Sequence, residues 1–276
     1  MKNSIIWLAS YPKSGNTWTR VFLANYLLNT DAPLSINQIH RFGLGDSIPQ
    51  MYRIVGGADI DLTDIHLTTR LRDKVLRGIV NNNADVNFVK THNFRGSLYG
   101  IELIPPKYTR SAVYIMRNPL DAVLSYAKHY NQTIEEATES FSRSDNVNGP
   151  DETSVLQYLG SWSDHVNSWT SFSPYPTCIL KYEDLLINPE EGFSKLVELV
   201  GLPVDEERLK KAIKFSSFKE LSSQEGKDGF RERPQHSAKF FNSGQSGRWR
   251  KELPKKVADR LIKANRETMQ KFGYLE

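Results

Sequence analysis

The chain has 276 residues, 39% hydrophobic and 25% charged, a globular balance that excludes a disordered or fibrous protein. No stretch approaches the roughly 18 to 20 consecutive apolar residues of a membrane span, and a single cysteine, Cys178, excludes an internal disulfide or a cysteine-based zinc site. A formal net charge of +4 suits a small anionic ligand and falls short of a nucleic-acid-binding signature.

The chain opens MKNSIIWLAS and enters an apolar run at once, without a secretory leader pattern, so a cytoplasmic protein is expected. Residues 4–9 (SIIWLA), 86–90 (VNFVK), 112–116 (AVYIM) and 177–181 (TCILK) read as strands. Their polar residues sit mainly at the ends, as in parallel strands buried on both faces. Helices fall between them. Asn118-Pro119-Leu120-Asp121 and Asn188-Pro189-Glu190-Glu191 each set a capping asparagine before a proline and an acidic first turn. Val155, Leu159, Trp162, Val166 and Trp169 recur at helical spacing, and Val257, Leu261 and Ala264 mark a last helix after Pro254. Residues 41–64, 142–152 and 222–247 read as long loops, a length usually reserved for function. The alternation predicts an α/β fold, a parallel β-sheet flanked by α-helices on both faces, in one domain over 1–276.

The first strand runs into Ser10-Tyr11-Pro12-Lys13-Ser14-Gly15-Asn16-Thr17-Trp18, which opens a helix carrying Val21, Ala24 and Leu28. Such a turn aims several backbone N–H groups at one point, and the helix dipole favours an anion there. Lys13 adds charge, and Ser14 and Thr17 add hydroxyls. The loop departs from the Gly-x-x-x-x-Gly-Lys-Ser/Thr phosphate loop, because the lysine precedes the only glycine. An ordinary strand-to-helix turn is the alternative reading.

Tyr11 to Trp18 resembles the 5′-phosphosulfate loop of the cytosolic-type sulfotransferases, which use 3′-phosphoadenosine 5′-phosphosulfate (PAPS) as donor. The resemblance continues in order along the chain. Lys90-Thr91-His92 is similar to the family's Lys-Thr-His, whose histidine is the catalytic base. Arg117-Asn118-Pro119 with Asp121 and Ser125 resembles the 3′-phosphate segment. Tyr182-Glu183-Asp184 matches the family's Tyr-Glu-Asp, and Ser216-Ser217-Phe218 its adenine-contacting segment. The late motif keeps Gly244, Gly247 and Trp249 of Gly-x-x-Gly-x-Trp, but its leading arginine and lysine are replaced by Asn242 and Ser243. Arg248, Lys239 and Arg250 are the candidates to replace that charge. Trp7-Leu8-Ala9-Ser10 and Gly160-Ser161-Trp162 resemble the bacterial branch more than the animal one, and the animal dimerisation signature is absent.

The resemblance implies a PAPS-dependent sulfotransferase acting on a hydroxyl of a small or medium organic acceptor. It implies Lys13 on the leaving oxygen, Lys90 on the sulfuryl oxygens and His92 as base. Ser14, Gly15, Asn16, Thr17, Trp18, Arg117, Ser125, Tyr182, Ser216, Phe218, Gly244 and Gly247 would bind the nucleotide, with Trp18 and Phe218 on the adenine. No metal is expected, since a singly charged sulfonate demands less compensation than a triphosphate. A nucleotide-dependent kinase on the same fold is the alternative, and a silent nucleotide-binding protein a third. Of the six histidines only His92 carries a motif; His129, His165 and His236 are expected to be packing or surface residues. Trp162 and Trp169 read as core, and Glu183 and Asp184 as supports of the fold. Phe42, Met51, Tyr52 and Phe94 are expected at the acceptor pocket. The oligomeric state is not legible in the sequence.

Overall fold

The computed structural model describes residues 3–275. In chain order, β1 (Ser4–Ser10) feeds α1 (Asn16–Leu28), a 3-10 turn (Ile36–Phe42), β2 (Leu44–Gly45), α2 (Pro49–Gly56) and α3 (Ile65–Val80). β3 (Val86–Thr91) leads through the short hairpin β4 (Ser97–Leu98) and β5 (Ile101–Glu102) to β6 (Thr109–Met116), α4 (Pro119–Tyr130) and α5 (Ile134–Ser142). A second hairpin, β7 (Val147–Asn148) and β8 (Gln157–Tyr158), precedes α6 (Trp162–Thr170) and β9 (Thr177–Lys181). Helices α7 (Tyr182–Ile187), α8 (Pro189–Leu199), α9 (Glu206–Phe215), α10 (Phe218–Asp228), α11 (Trp249–Glu252) and α12 (Lys255–Lys271) complete the chain.

Five strands pair in parallel in the order β2-β3-β1-β6-β9. β1 is central and every residue of it is buried. Its side chains alternate, so Ile5, Trp7 and Ala9 join Leu76, Val123, Trp162 and Leu261 on one face. Ile6 and Leu8 join Phe22, Phe193 and Leu209 on the other. Helices therefore cover both faces, as the sequence pattern implies. Trp7 is wholly buried, and its indole N–H donates to Thr109 Oγ1 at 2.8 Å, so its apolar bulk enters the core without an orphaned donor. Trp162 and Trp169 lie in the same cluster, as expected.

Both capping asparagines act as their sequence context implies. Asn118 Oδ1 accepts from Leu120 N at 3.0 Å, and Asn188 Oδ1 from Glu191 N at 3.3 Å, each starting a helix at the following proline.

Other expectations are corrected. β3 and β9 are only partly buried, because β2 is too short to shield one edge and no strand among the described residues pairs with the outer side of β9, where Ile179 is 40% exposed. Residues 41–64 contain α2, and 222–247 begins inside α10, leaving only 229–247 without helix or strand. Residues 142–152 carry β7. Val155 and Leu159 are not helical: α6 starts at Trp162, where Ser161 and Asp164 form a capping box.

Candidate active site

The parallel sheet sends the carboxyl ends of β1, β3, β6 and β9 to one side, and there the chain turns into its chemistry. After β1, Lys13 takes a left-handed φ of 68° and Gly15 a φ of 108°. A Cβ on Gly15 would meet the Tyr182 ring at 2.8 Å, so glycine is required both by backbone and by neighbour. The first α1 amides have no intrahelical acceptor and are free for an anion. Ser14 Oγ is buried and has no hydrogen-bond partner among the described residues. Asn16 turns inward instead: its amide donates to Leu8 O at 2.8 Å and ties the loop to β1. Its side-chain oxygen accepts from Arg20 Nε at 3.1 Å, so its backbone amide is the group left facing the turn.

β3 lies beside β1 with Leu8 opposite Lys90 and Ala9 opposite Thr91, which brings His92 level with Ser10. His92 Nδ1 lies 2.7 Å from Ser10 O. A carbonyl can only accept, so Nδ1 carries the proton and Nε2 keeps its lone pair. Burial, reinforced by the Lys90 charge, holds the ring well below its ordinary pKa. His92 is thus a neutral imidazole facing cations. Its carbonyl accepts from His165 Nε2 at 3.1 Å, and His165 Nδ1 accepts from Tyr114 OH at 2.9 Å. His165 is wholly buried and anchors the backbone of His92.

Burial and the neighbouring Lys90 pull Lys13 down to about 7. Lys13 Nζ sits 3.9 Å from the centre of the Phe240 ring and 3.4 Å from His129 Nδ1. His129 thus packs beside Lys13 at the candidate site, and burial with the Lys13 charge lowers it to about 3. Lys90 is lowered by burial too, against the opposing pull of Glu232.

After β6, Arg117 donates to Lys13 O at 3.2 Å and to Gln245 O at 3.1 Å, and its guanidinium lies 4.3 Å over the Tyr182 ring. Arg117 Nε is buried without a partner among the described residues. Asp121 accepts from Gly247 N at 2.6 Å and Trp249 N at 3.0 Å, which pins the late glycine motif to α4. Ser125 lies half-buried on α4 between Asp121 and His129, four residues from each and so on the same face. Glu183 accepts from Asn118 N at 2.9 Å and from Tyr274 OH at 3.1 Å, a fold-supporting role.

On the adenine side, the Trp18 and Tyr182 rings meet edge to face at 5.7 Å, and Trp18 Nε1 is buried and unpaired among the described residues. Phe218 is 37% exposed and lies against Gly244, where a Cβ would come within 2.5 Å of its ring. Ser216 lies at the end of α9, before Phe218. It caps α9, wholly buried, with its hydroxyl on Ile213 O at 3.2 Å. Of the candidates for the missing charge, Arg248 is bound to Glu252 and to Ser243 Oγ, Arg250 lies over the Trp249 ring and Lys239 is exposed.

Tyr52 is buried in the core with its hydroxyl on Asp46 O at 3.2 Å, and it borders a small cavity of about 10 Å³ with Arg72, Asn93, Leu98 and Tyr158. Phe94 does line a cleft of about 410 Å³, with Leu98, Ser144, Tyr158, Asp164 and Asn167. Phe42 and Met51 are half-buried. Among the described residues no three His, Cys, Asp or Glu side chains gather as metal ligands, and no helix is long and apolar enough to cross a membrane.

The profile of the Sulfotransferase domain family matches residues 3–273. The sulfotransferase 1 family member D1 of Mus musculus is 27% identical over 289 residues, covering 97% of this chain and 85% of the relative. The flavonol 3-sulfotransferase of Flaveria bidentis is 27% identical over 296 residues, covering 97% and 82%. In fold, the chain is similar to a retinol dehydratase solved with androsterone and the inactive cofactor PAP, with a TM-score of 0.66 at 17% identity over 98% of this chain and 81% of that one.

Proposed function

The chain belongs to the sulfotransferase domain family, and we propose on that premise that it carries a sulfuryl group from PAPS to a hydroxyl of a small or medium organic acceptor, with His92 as general base. The chain's orphaned polar atoms fit such a donor. Ser14 Oγ, Trp18 Nε1 and Arg117 Nε are buried donors without partners among the described residues, and they lie on the segments that a doubly phosphorylated adenosine would touch. Lys13, Ser14, Thr17 and the amides of 15–18 hold its 5′ end. Arg117, Ser125 and the turn at Gly244 and Gly247 hold its 3′-phosphate, and Trp18, Tyr182 and Phe218 hold its base.

His92 Nε2 takes the acceptor's proton as the new O–S bond forms in line. The bond from sulfur to the bridging oxygen breaks, and Lys13 stabilises the negative charge that the leaving oxygen gains. Lys90 balances the sulfuryl oxygens. Each cation acts more strongly on the transition state than on the ground state, which is the condition for acceleration. The cleft beside Phe94 is the proposed acceptor entry. A cytoplasmic location belongs to the same reading, and the free thiol of Cys178 suits a reducing compartment.

The observation that carries this reading is the 2.7 Å contact of His92 Nδ1 with Ser10 O, from which its tautomer follows. Its Nδ1–H is fixed to Ser10 O and its Nε2 left basic, beside Lys90 and level with the anion loop. The test is thermal melting with 3′-phosphoadenosine 5′-phosphate (PAP) or ATP, with and without magnesium. PAP is expected to raise the melting temperature without metal and ATP to do so far less. The reverse ranking favours a kinase and overturns the proposal.

A further inference from the structure

Arg20 stands one turn past the anion loop on α1, with 1% of its surface exposed. All three of its guanidinium nitrogens are engaged. Nε donates to Asn16 Oδ1 at 3.1 Å and Nη2 to Thr17 Oγ1 at 3.2 Å. Nη1 and Nη2 donate to the two carboxylate oxygens of Glu232 at 2.8 and 2.6 Å. The stem is held from behind by Gly43, where a Cβ would come within 2.6 Å of Arg20 Cδ. Glu232 belongs to residues 229–247 and lies 212 positions along the chain. Its side chain keeps 31% of its surface, yet its carboxylate is held at about 2, because Arg20 and Lys90 overcome the rise that burial alone would cause.

We propose that Arg20 is a positioning residue for sulfuryl transfer, acting through Thr17 and Asn16, and that Glu232 is the counter-charge by which residues 229–247 hold it in place. The proposal rests on the reading of the Lys13-to-Trp18 turn as the donor loop. A threonine hydroxyl that accepts from a guanidinium must direct its own O–H elsewhere, and so stays a donor for an anion. Asn16, its oxygen taken by Arg20, is left to bind β1 through its amide. One guanidinium thus orients both side chains that follow Gly15.

A guanidinium buried this deeply is costly without a partner, and a two-pronged carboxylate is its best one. Glu232 also cancels the Arg20 charge, so Lys13, Lys90 and Arg117 are the cations left to meet the donor. The same segment places Phe240 over Lys13, offers Gln245 O to Arg117 and offers Gly247 N to Asp121. Seating the segment and setting the anion loop are one event, joined at this ion pair.

The test titrates PAP calorimetrically into the wild type and into the double variant Arg20→Met with Glu232→Leu. Replacing both members of a buried pair by apolar side chains is often neutral for folding. The melting temperature should stay within about 4 °C of wild type, while the PAP dissociation constant rises about tenfold, as for the loss of a charge-assisted hydrogen bond. Unchanged PAP affinity in a variant of wild-type stability overturns the proposal. Should the double variant fail to fold, Glu232→Gln and Thr17→Val, alone and together, decide the matter. Their effects on PAP affinity must be non-additive if they share one hydroxyl, and additive effects reject it. If wild-type protein binds no PAP, it is the donor reading that falls, and the proposal with it.

Discussion

Lys13 combines two unfavourable states, a left-handed backbone and an ammonium largely withdrawn from water. The backbone alone costs about 1–2 kcal/mol in a residue with a Cβ. Burial beside Lys90 brings its pKa to about 7, so in neutral buffer the empty site holds a partly discharged amine. An anionic nucleotide favours the charged form, so binding raises that pKa and takes up a proton at pH values above 7, but not well below it. Calorimetry of PAP at pH 8 in buffers of unlike ionisation heat should show uptake of up to about one proton. Lys13→Met should abolish it, and proton-neutral binding by the wild type would contradict the account. At His92, the lowered pKa keeps Nε2 free for a proton even in mild acid. His92→Ala should lower kcat at least about a hundredfold with PAP affinity preserved. Undiminished turnover would remove the imidazole as base.

Among the elements, α4 does most to assemble the nucleotide side. Its first turn carries Asp121, whose two oxygens receive the amides of Gly247 and Trp249. An asparagine offers only one accepting oxygen and no charge, so Asp121→Asn leaves one of these amides unpaired, a loss of about 1–3 kcal/mol. The amides of residues 247 and 249 should then lose protection in hydrogen exchange and PAP should bind more weakly. Protection equal to wild type would count against the anchor. β1, its loop and the starts of α4 and α8 were legible in the sequence because their signals are local: an unbroken apolar run, one glycine, an asparagine before a proline. α2 was not, since an eight-residue helix offers too few turns for periodicity to separate it from the surrounding loop. The spacing of Val155 and Leu159 misled for the opposite reason: both join the core from non-helical chain on either side of β8, and their match to a helical period is accidental.

At the scale of the molecule, the sites that escaped the sequence are those made by distant segments. Nothing local marks Glu232 as the partner of Arg20, or His129 as the neighbour of Lys13. The molecule also keeps several imidazoles neutral in its interior, with His129 and His165 each lowered to about 3 by burial. Above the unfolded value near 6.5 neither state is protonated and stability is unaffected. As pH falls below it, the unfolded chain takes up protons that the native state refuses, and each such group removes up to about 1.4 kcal/mol per pH unit. Glu232 adds to the loss only lower, between its unfolded value of 4.5 and its native value of about 2. Urea midpoints should therefore drop between pH 7 and pH 5. A flat profile over that interval would mean that these rings are charged in the fold.

The pairing of His165 with the carbonyl of His92, together with the grip of Ser10 on its ring, has a consequence for reactivity. Clamped at main chain and imidazole alike, His92 cannot swing, as the proposed base, to follow a substrate. On the proposed mechanism every acceptor must bring its oxygen to one stationary point, so reach and shape would bound the range, and the walls of the entrance, not the base, are where a different clientele would evolve.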